Sequence, residues 1–254
     1  MNKKALFLIS LLLLPFLASC AHSPVKTAPV VEYDVYMKEI SPAPRSDISH
    51  VVGPGETLWR IAKMYDVDMK SIMRTNRLKD STRLKMGQRL VVVGAAPMRP
   101  IVPLYKSTKW KYIIIHHSAT DEGSALCFNR AHHLRGFWQG LGYHFVIDNG
   151  TKGKLDGQIE VAPRWLKQQN GSHCKAARMN YKGIGICLVG NFSKEKVSKE
   201  QIESLVYLVN TLRDHYRIPV KNILGHGQVR GARTECPGKK FPYKTFFSKL
   251  NSEQ

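Results

Sequence analysis

Two histidines and one cysteine stand where metal chemistry is feasible. His116 closes the apolar run Tyr112-Ile113-Ile114-Ile115, His226 closes the shorter run Ile223-Leu224-Gly225, and Cys236 follows ten residues later. Imidazole nitrogen and thiolate sulfur are zinc's preferred ligands. Three protein ligands leave the fourth tetrahedral position open, as in catalytic rather than structural sites. Spacing alone also admits a plainer reading, because the chain holds ten histidines and a lone histidine is usually packed rather than ligating.

The elements that must hold these groups surround them. Three consecutive isoleucines, residues 113–115, suit a central strand buried on both faces. Open α/β sheets place their ligands at the carboxyl ends of such strands. Ser124 is a candidate N-cap for a helix on which Cys127, Ala131, Leu134 and Trp138 share a face, stopped by Gly140 and Gly142. Residues 143–147 alternate as a strand, 157–160 read as an edge strand and 183–190 as a buried one. Ser198 with Gln201 forms a capping-box pattern before a helix that buries Ile202, Leu205, Val206, Val209, Leu212 and Tyr216. Residues 243–250 read as a terminal helix. The fold class over residues 108–254 is therefore α/β, a mixed central sheet flanked by helices.

A smaller unit precedes it at residues 49–93. His50-Val51-Val52 reads as a strand and Gly53-Pro54-Gly55 as a turn. Thr57 caps a helix with Leu58, Ile61, Ala62 and Tyr65 at i, i+3, i+4 and i+7. Asp68 caps a second helix, and residues 90–93 close with a strand. The pattern VVGPGETLWRIAKMYDV…LKMGQRLVVV resembles a LysM module, which implies a βααβ fold and binding of N-acetylglucosamine-containing glycan. Residues 94–107, with three prolines, read as a semi-stiff linker.

The N-terminus has Lys3 and Lys4 and then an apolar stretch to Leu17, too short to span a membrane comfortably. Residues 1–19 read as a signal peptide. Leu17-Ala18-Ser19-Cys20 resembles the lipobox of bacterial lipoproteins, which implies lipidation at Cys20 and a tether over residues 20–48. Ala21, rather than an aspartate, implies an outer-membrane anchor facing the periplasm. The net charge of +20 would suit nucleic acid in a cytosolic protein. Export excludes that partner and points to the polyanions of the cell envelope. The sequence assigns no disulfide among Cys127, Cys174 and Cys187.

The ordered motifs IIIHHSAT, LGYHFVIDNG, GSHC, IGICLVGNF and GHGQVRGARTECPG resemble the zinc-dependent N-acetylmuramoyl-L-alanine amidases, a family that includes phage lysozyme-amidases and animal peptidoglycan recognition proteins. The resemblance covers about residues 108–248. It implies one zinc ion held by His116, His226 and Cys236, with Tyr143 beside the metal-bound water and Thr234 near the developing charge. It also implies that His173 lines the substrate groove. Arg230 and Arg233 lie in the metal loop, where guanidinium groups could meet stem-peptide carboxylates bidentately. Cys187 stands where another branch of the family has a glutamate, so no carboxylate base is assignable. His117 should face away from His116, because strand side chains alternate. His133 and His144 should be packed.

These readings imply a monomeric peptidoglycan amidase that takes glycan through its LysM module and stem peptide in the amidase groove. The rival is a non-catalytic lipoprotein that links outer membrane to cell wall, against which stands retention of all three ligands and Tyr143. The lipobox resemblance makes a testable statement. The mature chain should begin at an acylated Cys20, and mass spectrometry of its N-terminal peptide should find fatty acid there. An unmodified terminus at another residue contradicts it.

Overall fold

The computed structural model describes residues 35–36 and 44–252. The segment expected to be a signal peptide, Cys20 and most of the expected tether fall outside them. Strand β1 (Val35–Tyr36) precedes the LysM unit, which runs β2 (Ser46–Val51), α1 (Leu58–Met64), α2 (Met69–Thr75) and β3 (Arg89–Ala95). The two caps form as their residue types dictate: Thr57 accepts from the Arg60 amide and Asp68 from the Ser71 amide. β2 and β3 pair antiparallel. Leu58, Ile61, Ile72, Leu90 and Val92 form a separate small core.

The linker differs from expectation. The amides of Ala96 and Arg99 bond back to Tyr65 and Met64 of the LysM unit. Ile101 is buried in the LysM core, while Val102 and Leu104 join the core of the second domain. Strand β4 (Val102–Pro103) pairs with β1, and the Pro103 carbonyl accepts from the Trp165 indole at 2.7 Å. Prolines suggest a spacer, but alternate apolar residues between them fill two cores, and that burial decides the outcome.

The second domain comprises β5 (Tyr112–His117), α3 (Ala125–Leu134), β6 (Phe145–Asn149), β7 (Asp156–Val161), α4 (Pro163–Leu166), α5 (Met179–Lys182), β8 (Gly183–Leu188), α6 (Lys199–Tyr216), β9 (Ile223–Gly225) and α7 (Tyr243–Ser252). Strand order is β7-β6-β8-β5-β9. β6, β8, β5 and β9 run parallel, and β7 pairs antiparallel at one edge. Alternation along β5 separates two faces. Ile113 and Ile115 enter the main core with Ile184, Ile186, Phe145 and the apolar face of α6. Ile114 faces the opposite side with Cys174, Met179 and Val229. α6 begins with the expected capping box of Ser198 and Gln201.

Helix α3 keeps its Ser124 cap but not its expected face. Ala125, Leu126 and Asn129 are buried, whereas Leu134 and Trp138 are 90% and 83% exposed. The helix ends at Leu134, so Trp138 lies beyond it and spacing along a continued helix no longer applies. Cys127, Cys174, Cys187 and Cys236 are all free thiols. Among the described residues no helix is long and apolar enough to cross a membrane.

The LysM unit buries Glu56 against His50. Glu56 accepts from the Gly53 amide at 2.6 Å and meets His50 Nε2 at 2.9 Å. Burial alone would raise its pKa. The His50 hydrogen bond and charge, then Lys154, outweigh burial and bring it down to about 2. A carboxyl whose folded pKa lies below its ordinary value of 4.5 adds stability that is complete above that pH and lost as pH falls toward 2. Urea unfolding between pH 6 and 2.5 should therefore show wild type losing stability through this window, on the order of 3 kcal/mol more than Glu56→Gln. Parallel pH curves for the two proteins would contradict the pair's contribution.

Candidate functional site

His116 is the fifth residue of β5 and, by alternation, lies on the face opposite α6. β8 runs alongside with Cys187 in register with it. β9 ends at Gly225, and the chain turns so that His226 reaches the same place, its ring 4.6 Å from that of His116. The loop to Cys236 folds back tightly: the Gly227 amide donates to the Cys236 carbonyl at 2.6 Å. A side chain at 227 would put its Cβ 2.5 Å from the Thr234 carbonyl oxygen, so this approach requires glycine. The result brings one ligand atom each from His116, His226 and Cys236 within 4.8 Å of one another.

The hydrogen-bond network fixes which atom His116 offers. The Gly183 carbonyl can only accept, so His173 Nε2, 3.2 Å away, carries a proton. His173 Nδ1 is then an acceptor, and His116 Nε2 donates to it at 3.0 Å. That leaves the lone pair of His116 Nδ1, which lies 3.7 Å from Cys236 Sγ. Burial, then the neighbouring imidazoles of His173 and His226, hold His116 well below its ordinary pKa, so the ring is neutral and able to ligate. Burial pushes the Cys236 thiol up to about 12, against the amide of His117 that donates to its sulfur. Two neutral imidazoles and a thiol that lacks a compensating cation form a donor set that fits a zinc-like divalent ion.

His173 needs correction as a substrate contact. Both its ring nitrogens are committed, to His116 and to Gly183, and burial first of all holds it down to about 3. It backs the first histidine, a role whose signal depends on a chain reversal that spacing does not reveal. His133, expected to be packed, is instead exposed. Its neighbour His132 is the packed one, accepting from the Gly142 amide at 3.0 Å and meeting the Tyr143 ring at a tilt. His144 is buried between the Gly185 amide and the Gln169 carbonyl. His117 turns away to accept from the Phe192 amide.

Tyr143 lies just before β6, with its ring 5.2 Å from that of His116. Burial, then the thiols of Cys187 and Cys236, hold its phenol well above the ordinary value, and its hydroxyl bonds to Cys187. It is thus a proton donor and not a base. Thr234 is exposed, its hydroxyl accepting from the Cys236 amide at 3.2 Å. Arg230 and Arg233 are exposed on the same loop. Beside His173 opens a polar cleft of about 600 Å3 lined by Trp138, Gln139, Arg164, Asn170, Ser172 and Tyr181. Arg164, which sequence reasoning missed, braces this wall through the carbonyls of Leu141 and Asn170.

Fold and site together define an α/β protein with a candidate metal centre at the carboxyl ends of adjacent parallel strands. The chain belongs to the N-acetylmuramoyl-L-alanine amidase family, whose model matches residues 106–239, and a LysM domain model matches residues 50–93. Peptidoglycan-recognition protein SC2 of Drosophila melanogaster is 30% identical over 136 residues, which cover 50% of this chain and 67% of that protein. Peptidoglycan-recognition protein LB of the same species is 31% identical over 140 residues, 50% of this chain and 54% of that one. Among solved structures, the endolysin N-acetylmuramoyl-L-alanine amidase LysCS from Clostridium intestinale is 34% identical. That match covers 56% of this chain and 84% of that one, at a TM-score of 0.48.

The His173 geometry has a measurable consequence. Removing the partner that orients a metal-binding imidazole typically weakens affinity about 10- to 100-fold. His173→Leu should therefore bind Zn2+ that much more weakly in competition with a chromophoric chelator, at unchanged circular dichroism. Wild-type affinity would show that His173 does not orient the centre.

Proposed function

We propose that this chain is a peptidoglycan hydrolase that cleaves the amide between N-acetylmuramic acid and L-alanine, with one zinc ion held by His116, His226 and Cys236. The observation that carries the reading is the convergence of these three ligand atoms beside the Tyr143 phenol, in a chain of the amidase family. Zinc, when bound, polarises a carbonyl and acidifies water toward a pKa of about 7. The remaining work falls to the chain itself. His173 keeps His116 in the tautomer that presents Nδ1 outward. Tyr143, held protonated, donates to oxygen as negative charge develops on the scissile group. Thr234, whose hydroxyl accepts from the Cys236 amide, offers a second hydroxyl beside the ligand loop. Arg230 and Arg233 stand ready for stem-peptide carboxylates.

The LysM module would grip glycan. Its segment 49–93 holds nine Lys and Arg against four Asp and Glu, which suits an anionic wall. The lipobox-like string would anchor the chain to the outer membrane on its periplasmic side. A single acyl chain gives only marginal membrane binding, so multiple acylation is expected.

The test is to incubate the purified protein with sacculi, with and without chelator, and identify the products by mass spectrometry. Free stem peptides beginning with L-alanine, lost in chelator and restored by Zn2+, support the proposal. Tight sacculus binding without release of peptides supports a non-catalytic anchor instead. On a soluble muropeptide, Tyr143→Phe should keep bound zinc and KM while kcat falls about 10²- to 10³-fold, the loss expected for one transition-state donor. Unchanged kcat would remove the phenol from the mechanism.

A further inference from the structure

The junction between the two domains holds a buried chain of charge that the amidase chemistry does not use. Lys154, between β6 and β7, donates to the Val51 carbonyl of the LysM unit at 3.0 Å and pairs with Glu160 Oε2 at 2.8 Å. Both side chains are almost fully buried, at 1% and 3% exposure. Burial would lower the Lys154 pKa, but the carboxylates of Glu160 and Glu56 outweigh it and hold the ammonium charged. The other oxygen of Glu160, Oε1, accepts from the Ala125 amide at 2.5 Å. Ala125 is the first residue of α3, whose opening amides have no partner within the helix. Glu160 therefore fixes the start of α3 from outside it.

Helix α3 in turn holds the catalytic turn. Asn129 Oδ1 accepts from the Leu141 amide at 2.9 Å, and His132 Nδ1 accepts from the Gly142 amide at 3.0 Å. The next residue is Tyr143. The LysM unit touches this path at two more points. A Cβ at Gly53 would lie 2.8 Å from Glu160 Oε2, and one at Gly87 would lie 3.4 Å from Leu126 of α3.

We infer that the LysM module is a positioning element of the amidase site, acting through Lys154 and Glu160 on α3 and through α3 on Tyr143. Its part in the molecule is then not confined to gripping glycan. The inference rests on the amidase reading for its kinetic consequence, but the placement of α3 can be measured without any turnover. Lys154 and Glu160 are positioning residues and touch no substrate.

The test uses the full chain with Lys154→Met, Gly53→Val, Glu160→Gln and Glu160→Leu. Native-state hydrogen exchange should show the first-turn amides of α3, from Ala125 to Cys127, exchanging at least about tenfold faster in Lys154→Met and Gly53→Val, while those of Ile113 to Ile115 stay as in wild type. On a soluble N-acetylmuramoyl-L-alanyl peptide, too small to reach the LysM unit, kcat should fall about tenfold with KM and zinc content unchanged. Glu160→Gln, which keeps an oxygen for the Ala125 amide, should retain most of the activity that Glu160→Leu loses. Wild-type exchange in α3 of Gly53→Val overturns the inference whether or not the chain proves to be an amidase. Accelerated exchange with wild-type kcat overturns the link from α3 to Tyr143. A uniform rise in exchange, sheet included, marks simple destabilisation and also overturns it.

Discussion

The structure depends on one strand doing two jobs. β5 lies between β8 and β9 in a mostly parallel sheet, with Ile113 to Ile115 paired on both sides, so its side chains must satisfy both faces. Ile113 and Ile115 belong to the large core beneath α6, and Ile114 and His116 to the other face. A slip of one residue would send His116 into hydrocarbon and Ile115 into the centre. The size of the core under α6 therefore fixes register, and register fixes the ligand. The same alternation accounts for His117, a second imidazole that leaves the centre and finds the Phe192 amide.

Much of this is legible in the sequence because it is local. Caps at Thr57, Asp68, Ser124 and Ser198 are set by side chains meeting amides three residues on. The β-branched run 113–115 and the glycine-bounded run 183–188 carry their own strand preference. Features decided by distant chain are not legible. The partner of His173 is a carbonyl presented by Gly183 after the chain has turned through α5. The choice between His132 and His133 depends on where α3 ends and on the approach of Gly142. Residues 94–107 carry the composition of a spacer, yet burial of Ile101, Val102 and Leu104 outweighs what their prolines suggest.

Charge in this molecule divides by depth. The chain is strongly basic overall, with +20 formal charge. Beneath that surface Glu56, Asp148 and Glu160 are gathered around Lys154 where the domains meet. Asp148 is fully buried, and burial followed by the Glu160 charge holds its carboxyl well above the ordinary range. Such groups are costly to bury unless they are paired, and the bond from Lys154 to the Val51 carbonyl ties the two sides of the junction to one geometry. At the centre itself the logic reverses: neutral imidazoles, a protonated phenol and high-pKa thiols leave the site short of positive charge, which a divalent cation would supply.

The absence of a free hinge in residues 94–107 bears on how two weak contacts add up. When binding modules are joined by a flexible linker, the second meets its target at an effective concentration averaged over many separations. Here Ile101 sits in one core and Val102 in the next, so that average collapses toward a single separation. Avidity then becomes selective for spacing. A polymer whose repeat places its two recognised groups at that separation gains the full benefit of both contacts, and one with another repeat gains almost none. On the proposed function, the module and the groove together would act as a gauge of the polymer's periodicity.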